Sequence, residues 1–375
     1  MTQLGHRARC RPIALALCAL LSMPAWCWSQ SKAPSPPQTA RPASNPQSTT
    51  LPQSQIRVVT NEIIVPVTVT DASGDFVLDL SQKDFHIYDD SVEQSIDRWQ
   101  LGGDPLAVVL VLETSSRLHA YAPVLHSLGS IFTETVMALD GEAAVVTYSS
   151  TVDLRQSFTQ DHDAVEKAIA STKFEAPETN LYDAMALAVQ QLESLPPTRR
   201  RIMLIVGESD DTDSTAKLGK VARDAARANI SIYAVGPSSM AADIRGENEG
   251  VPPMKIWKLP PIGAQPPRRD PLGRPFYDWM TPAIWLLERG YNRYRNHQLE
   301  VIAAATGGIH YGAIRDSTLR AALDKIGGEL HAQYVIGYKP SAPLAPGFHR
   351  ITVTVSRTNV AIRARPGYFV ASGTN

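Results

Sequence analysis

Leu106-Ala-Val-Val-Leu-Val-Leu-Glu113-Thr-Ser115-Ser-Arg117 decides how this chain is read. The unbroken apolar run matches a strand buried on both faces, as in a parallel sheet covered by helices. It ends in a carboxylate followed by hydroxyls. A second segment, Pro177-Glu-Thr179-Asn-Leu-Tyr-Asp183-Ala184, reads as a loop threonine opening a helix. Further strand-like runs at 143–148, 202–206 and 230–235 alternate with helical patterns at 123–139, 164–171, 181–195 and 215–228. This alternation predicts an α/β domain with a mostly parallel, doubly wound sheet over 105–333. The run at 152–155 follows Tyr148 too closely for a parallel crossover, so it predicts an antiparallel edge.

The flanks are different. Ile63-Ile-Val-Pro-Val-Thr-Val-Thr70 and Phe85-His-Ile-Tyr88 are β-type runs separated by turn residues. Pro66 points to an edge or bulge in the first. Runs at 334–338, 350–356 and 360–364 repeat this character at the other end. Neither β piece is comfortable alone. They predict one β-sandwich built from both ends of the sequence, 56–104 pairing with 334–370. Between 237 and 297 the α/β pattern is interrupted by a proline-rich insertion carrying Trp257, Phe276, Tyr277, Trp279 and Trp285. It reads as a lid over an apolar flank or as a partner-binding loop.

The chain has 375 residues, 43% hydrophobic, and a formal net charge of −1. That is room for about two domains and gives no electrostatic case for nucleic acid or an anionic membrane. Residues 1–29 combine a basic start, an apolar run from Ile13 to Met23 too short to span a bilayer, and small or polar residues after it. This is a signal-peptide pattern. A buried N-terminal helix is the alternative, and it lacks an amphipathic period or cap. Residues 30–55, rich in Pro, Ser, Gln and Thr, read as a disordered linker. Cys10, Cys18 and Cys27 all fall within 1–29. The mature chain would then hold no disulfide, Cys-ligated zinc or thiol nucleophile. Cys27 is a candidate lipidation site, but Pro24-Ala-Trp26 lacks a lipobox context.

Several segments, in order, resemble the von Willebrand factor A (VWA)-related proteins of Acidobacteria, an exported VWA subgroup. They are Pro66-Val-Thr-Val-Thr-Asp71, Lys83-Asp-Phe-His-Ile-Tyr-Asp89, the 105–116 stretch, Thr179-Asn-Leu-Tyr-Asp-Ala184, Ser231-Ile-Tyr-Ala-Val235, Tyr334-Val-Ile-Gly-Tyr338 and Arg363-Ala-Arg-Pro-Gly-Tyr368. The resemblance implies a Rossmann-like VWA domain with a metal-ion-dependent adhesion site. That site typically has Asp-x-Ser-x-Ser after the first strand, a later Thr, and an Asp after the fourth strand. Magnesium favours such an octahedral oxygen shell.

Here Glu113 takes the first Asp position, Ser115 matches the first Ser, and Arg117 replaces the second Ser. Thr179 matches the Thr, and Gly207 replaces the last Asp. The extra methylene of Glu113 displaces its carboxylate by roughly 1.5 Å. Arginine has no acceptor and stays charged. The expected site is therefore degenerate, with Arg117 pairing with Glu113 or taking a partner's carboxylate. No cofactor is expected. A magnesium ion on Glu113, Ser115 and Thr179, aided by Glu208 or Asp210, is the alternative. The bland reading of 208–214 is a solvated loop whose Asp213 or Ser214 caps the next helix. Asp183 is expected to stabilise the first turn of the helix after Thr179.

The expected function is an exported, periplasmic or extracellular, protein-interaction module. It would bind a protein or peptide at a rim formed by Glu113, Ser115, Arg117, Thr179 and Glu208, at the carboxyl ends of the strands. An enzyme using the same cleft is the runner-up class. Neither metalloprotease His spacing nor Gly-x-Ser-x-Gly occurs. No Gly-rich phosphate loop follows the first strand. Arg199-Arg-Arg201 reads as an exposed connector.

Overall fold

The computed structural model describes residues 62–196, 198–208, 210–236, 283, 297–312, 316–341 and 344–370. The expected signal peptide, linker and nearly all of the proline-rich insertion lie outside these residues. The described body falls within one compact unit beginning at Val58.

The chain opens with β1 (Ile63–Thr70), β2 (Phe85–Asp89), β3 (Val92–Gln94) and β4 (Arg98–Leu101). It then enters the α/β part through β5 (Leu106–Glu113), α1 (Ala122–Ile131), β6 (Glu142–Tyr148) and β7 (Val152–Thr159). Next come α2 (His162–Ala170), α3 (Leu181–Glu193), β8 (Arg200–Val206), α4 (Leu218–Arg227) and β9 (Ile230–Gly236). The last part of that domain is α5 (Gln298–Ala305), β10 (His310–Gly312) and α6 (Asp316–Ala332). Finally β11 (Tyr334–Tyr338), β12 (Gly347–Val355), β13 (Ala361–Ala364) and β14 (Gly367–Val370) return to the first strands.

The central sheet has the order β10-β9-β8-β5-β6-β7. Its strands are parallel except β7, which pairs antiparallel with β6. β5 sits in the middle with every residue buried. Successive side chains point to opposite faces. Ala107, Val109 and Val111 join the core that includes α3, α4 and α5, whereas Val108, Leu110 and Leu112 join the core that includes α1, α2 and α6. Two covered faces explain the unbroken apolar run, since an alternating sequence would bury polar side chains on one of them.

The remaining strands form two antiparallel sheets, β13-β1-β11-β4 and β14-β12-β2-β3. Each mixes strands from the two ends of the sequence. Between them lies one core that includes Val65, Val67, Val69, Phe85, Ile87, Tyr334, Ile336, Tyr338, Ile351 and Tyr368. The fold is thus a Rossmann-like α/β domain inserted in a β-sandwich. Pro66 is not on an edge strand, because β1 lies between β13 and β11. It faces Val335 of β11, while the β13 ladder begins only at Val67. The missing N–H therefore leaves no gap in that ladder.

A buried polar cluster joins the two parts. Glu329 on α6 is 1% exposed. Its Oε1 accepts from Tyr233 Oη of β9 at 2.6 Å and Thr68 Oγ1 of β1 at 3.2 Å, and its Oε2 pairs with Arg363 of β13. Gln333 Nε2 donates to Tyr233 Oη at 3.0 Å, and Gln333 Oε1 accepts from Arg200 Nη2 at 2.5 Å. Arg200 Nη1 also donates to the carbonyls of Gly102 and Leu330 at 2.6 and 2.7 Å. The basic run at 199–201 is therefore not simply an exposed connector. Arg200 is buried and bonds residues from both parts.

Removing one partner of a buried ion pair leaves the other uncompensated. Arg363→Met is expected to destabilise the fold by about 3–5 kcal/mol. Adding Glu329→Leu should recover much of that loss. Urea denaturation of the two variants measures both effects.

Candidate functional site

The carboxyl ends of β5, β6 and β8 meet above the sheet. Glu113 ends β5 and is fully buried. Its Oε1 accepts the Ser115 hydroxyl at 2.5 Å, and its Oε2 accepts the Glu208 N–H at 2.6 Å. Tyr148, the last residue of β6, brings its Oη to 3.5 Å from Oε2. Burial pushes the Glu113 carboxyl up to about 7. The Ser115 and Glu208 hydrogen bonds oppose that rise without overcoming it, and the nearby Glu208 carboxylate adds to it.

Gly207 follows β8 directly. A Cβ there would lie 2.5 Å from Tyr148 Oη and 2.7 Å from both Cβ and Oε2 of Glu113. The longer carboxylate and the phenol thus fill the volume that a side chain at 207 would need. Tyr148 is the member of this group that the sequence reading missed. Its signal was its place at the end of the strand beside β5.

Arg117 lies in the short 3-10 turn Ser116–Tyr121. It does not pair with Glu113. Its Nη1 donates to Asp210 Oδ2 at 2.7 Å and lies 3.8 Å from Glu208 Oε2. Glu113 is sealed beneath the rim and held by Ser115 and Glu208, so the surface carboxylates capture the guanidinium. The Arg117 side chain keeps 35% of its surface exposed, Glu208 32% and Asp210 60%. Ser115 and Thr179 are fully buried. Of the five residues expected on one rim, Arg117 and Glu208 stand at it, and Glu113, Ser115 and Thr179 lie buried beneath it.

Thr179 Oγ1 donates to the Asp210 carbonyl at 2.9 Å. The 210–216 segment folds over the start of α3 and supplies acceptors for N–H groups there. Thr212 Oγ1 accepts from Thr179 N at 2.9 Å, Asp211 Oδ1 from Tyr182 N at 3.0 Å, and Ser214 Oγ from Asp183 N at 3.1 Å. Asp183 answers by accepting from Thr215 N at 3.0 Å and Ala216 N at 2.8 Å. Burial acts to raise its carboxyl, but these N–H groups outweigh it and hold the carboxyl low. The expectation for Ser214 needs correcting. It caps the preceding helix α3, while α4 starts after Lys217 with no side-chain cap.

Residues 108–247 match the family model of the von Willebrand factor type A domain. The chain carries a VWA domain. Among solved structures, it is similar to an aerotolerance-related membrane protein from Bacteroides fragilis at 14% identity and a TM-score of 0.38, over 60% of this chain and 98% of that one. A von Willebrand factor type A protein from Catenulispora acidiphila matches at 10% identity and a TM-score of 0.40, over 78% of this chain and 74% of that one. A comparison with curated proteins gives no match.

The buried carboxyl of the VWA rim links stability to pH. Below the ordinary value of 4.5, both folded and unfolded chains hold the Glu113 proton. Between 4.5 and about 7 the unfolded chain releases it first, so Glu113 lowers stability as pH rises. The contribution lost is on the order of 3 kcal/mol. Glu113→Gln carries no such proton. Relative to wild type it should gain stability across this window and stay level above it, as read by urea melts at a series of pH values.

Proposed function

We propose that this chain is an exported protein-interaction module that takes its partner at the carboxyl-end rim through Arg117, without a bound magnesium ion. The observation that carries this reading is the Arg117 guanidinium. It stands at the rim, partly exposed, and among the described residues only its Nη1 is engaged, on Asp210 and Glu208. An acidic side chain of a partner can compete for that group with a bidentate contact. VWA domains generally mediate protein interactions.

The donor set does not fit a magnesium shell. Both oxygens of Glu113 are already engaged, by the Ser115 hydroxyl and the Glu208 N–H. The Thr179 hydroxyl is bonded to the Asp210 carbonyl, and Asp210 itself holds a guanidinium. Position 207 offers no side-chain oxygen.

Export rests on the sequence of residues 1–29. Among the described residues, no helix is long and apolar enough to cross a membrane.

One observation favours an enzyme in the same cleft: Ser115 Oγ lies 2.5 Å from a carboxylate with its pKa near 7. Such a pair could act as nucleophile and base. Full burial of both groups weighs against it, since a substrate carbonyl would have no route to the hydroxyl.

Two measurements test the binding reading. Saturating magnesium that binds only the native state, at 100 times its dissociation constant, would add about 2.7 kcal/mol. We expect no such shift in a thermal melt. A rise of several degrees that Thr179→Ala abolishes would overturn the metal-free reading. The second is a pull-down from the source organism's envelope fraction with the full chain. Capture should persist with a chelator and fall at least tenfold for Arg117→Ala. Capture that the substitution leaves unchanged would remove the rim from consideration.

A further inference from the structure

A second cluster of ligand-type groups lies in the sandwich, on residues the VWA rim does not use. β2 ends at Asp89, and the chain turns into β3 through Asp90 and Ser91, with φ of 46° and 73°. β12 runs antiparallel beside β2 and pairs Ile351 with Asp89, which brings His349 to the same corner. One atom each from Asp89, Asp90 and His349 lie within 4.8 Å of one another.

Asp89 is 6% exposed. Its Oδ2 accepts from Tyr338 Oη at 2.9 Å and Tyr368 Oη at 2.7 Å. Its Oδ1 is buried with no hydrogen-bond partner among the described residues, 3.8 Å from His349 Nδ1. A buried carboxylate oxygen left without a donor or cation is strongly unfavourable. Asp90 Oδ2 lies 2.9 Å from the same nitrogen, and its Oδ1 accepts the Arg350 N–H at 2.9 Å.

The histidine ring is fixed from its other side. Nε2 lies 2.7 Å from the Ala345 carbonyl oxygen, and the ring stacks on Tyr368. A carbonyl only accepts, so Nε2 carries the proton. In the neutral ring Nδ1 is then a lone pair facing two carboxylate oxygens. Three acceptors pointing at one another call for a positive charge between them. Anchoring the distal nitrogen on a carbonyl is also how metal-bound histidines are oriented. Tetrahedral ligands at 2.0–2.1 Å from an ion are about 3.3 Å apart. The separations of 2.9 and 3.8 Å bracket that spacing.

We propose that Asp89, Asp90 and His349 form a binding site for a divalent transition ion of the zinc class. A further coordination position opens on the side of Asp90, whose side chain is 53% exposed. One imidazole with two carboxylates favours zinc or manganese over magnesium or calcium, which prefer oxygen alone. This assignment is independent of the proposed rim function.

The test is calorimetric titration of the tag-free full chain with zinc chloride and then manganese chloride. Two variants accompany it. Asp90→Asn keeps an acceptor for the Arg350 N–H and tolerates the left-handed turn. His349→Gln removes the ring. Folding of both is checked by circular dichroism. The expected result is one zinc ion per chain, with affinity at least tenfold weaker in each variant and unchanged in Glu113→Gln. Cobalt should give a visible absorption band in wild type that both variants lose. Failure of wild type to bind either ion would mean that a proton on Nδ1 supplies the charge, and it would overturn the site. Full affinity retained in both variants would overturn it as well.

Discussion

The carboxylate of Glu329 is the constraint on which the arrangement of the two parts depends. It projects from α6, the helix that leads out of the α/β domain, and it is buried where water cannot solvate it. The groups that satisfy it include Tyr233 from the central sheet, Thr68 from the first strand of the sandwich, Arg363 from β13 and Gln333 just after α6. Gln333 and Arg200 extend the same cluster to the carbonyls of Gly102 and Leu330. An apolar junction would tolerate sliding, because dispersion contacts are not directional. A polar junction of this kind is satisfied in one register only, since a displaced donor leaves a buried acceptor open. The sandwich and the inserted domain are therefore fixed relative to each other by hydrogen-bond geometry as well as by contact area.

The rim shows a compensation of another sort. In the pattern its sequence resembles, the cavity between the first and fourth strands is kept open for an ion. Here Glu113 is longer than an aspartate, Tyr148 reaches in beside it, and position 207 is a glycine. Tyr148 and Glu113 together exclude a side chain at 207 on steric grounds. The guanidinium of Arg117 lies at the edge, paired with Asp210.

Much of the fold could be read from residue order. The apolar run of β5, the alternation with helical patterns, and the β-type runs at both ends each reflect a local periodicity that tertiary packing left intact. The antiparallel turn into β7 followed from chain length alone. What the sequence hid was pairing between side chains far apart in it. Arg117 and Asp210 are 93 positions apart, and nothing local indicates that Asp210 would outcompete Glu113. Arg200 looked like part of a surface connector because a basic run carries no sign of which member turns inward. Ser214 was assigned to the helix after it because capping is usually local, whereas here the loop folds back on α3. Pro66 was read as a mark of an edge or a bulge, and it stands at the point where one of two flanking ladders begins. In each case the residue type was informative and its partner was not.

Both ends of the described body leave from the sandwich, through β1 and β14, while the α/β domain is looped out between β4 and β11. A pull on the two ends is carried first by the ladders of β1 against β11 and β13 and of β14 against β12. Load applied at the two ends therefore reaches the sandwich ladders before it reaches the inserted α/β domain.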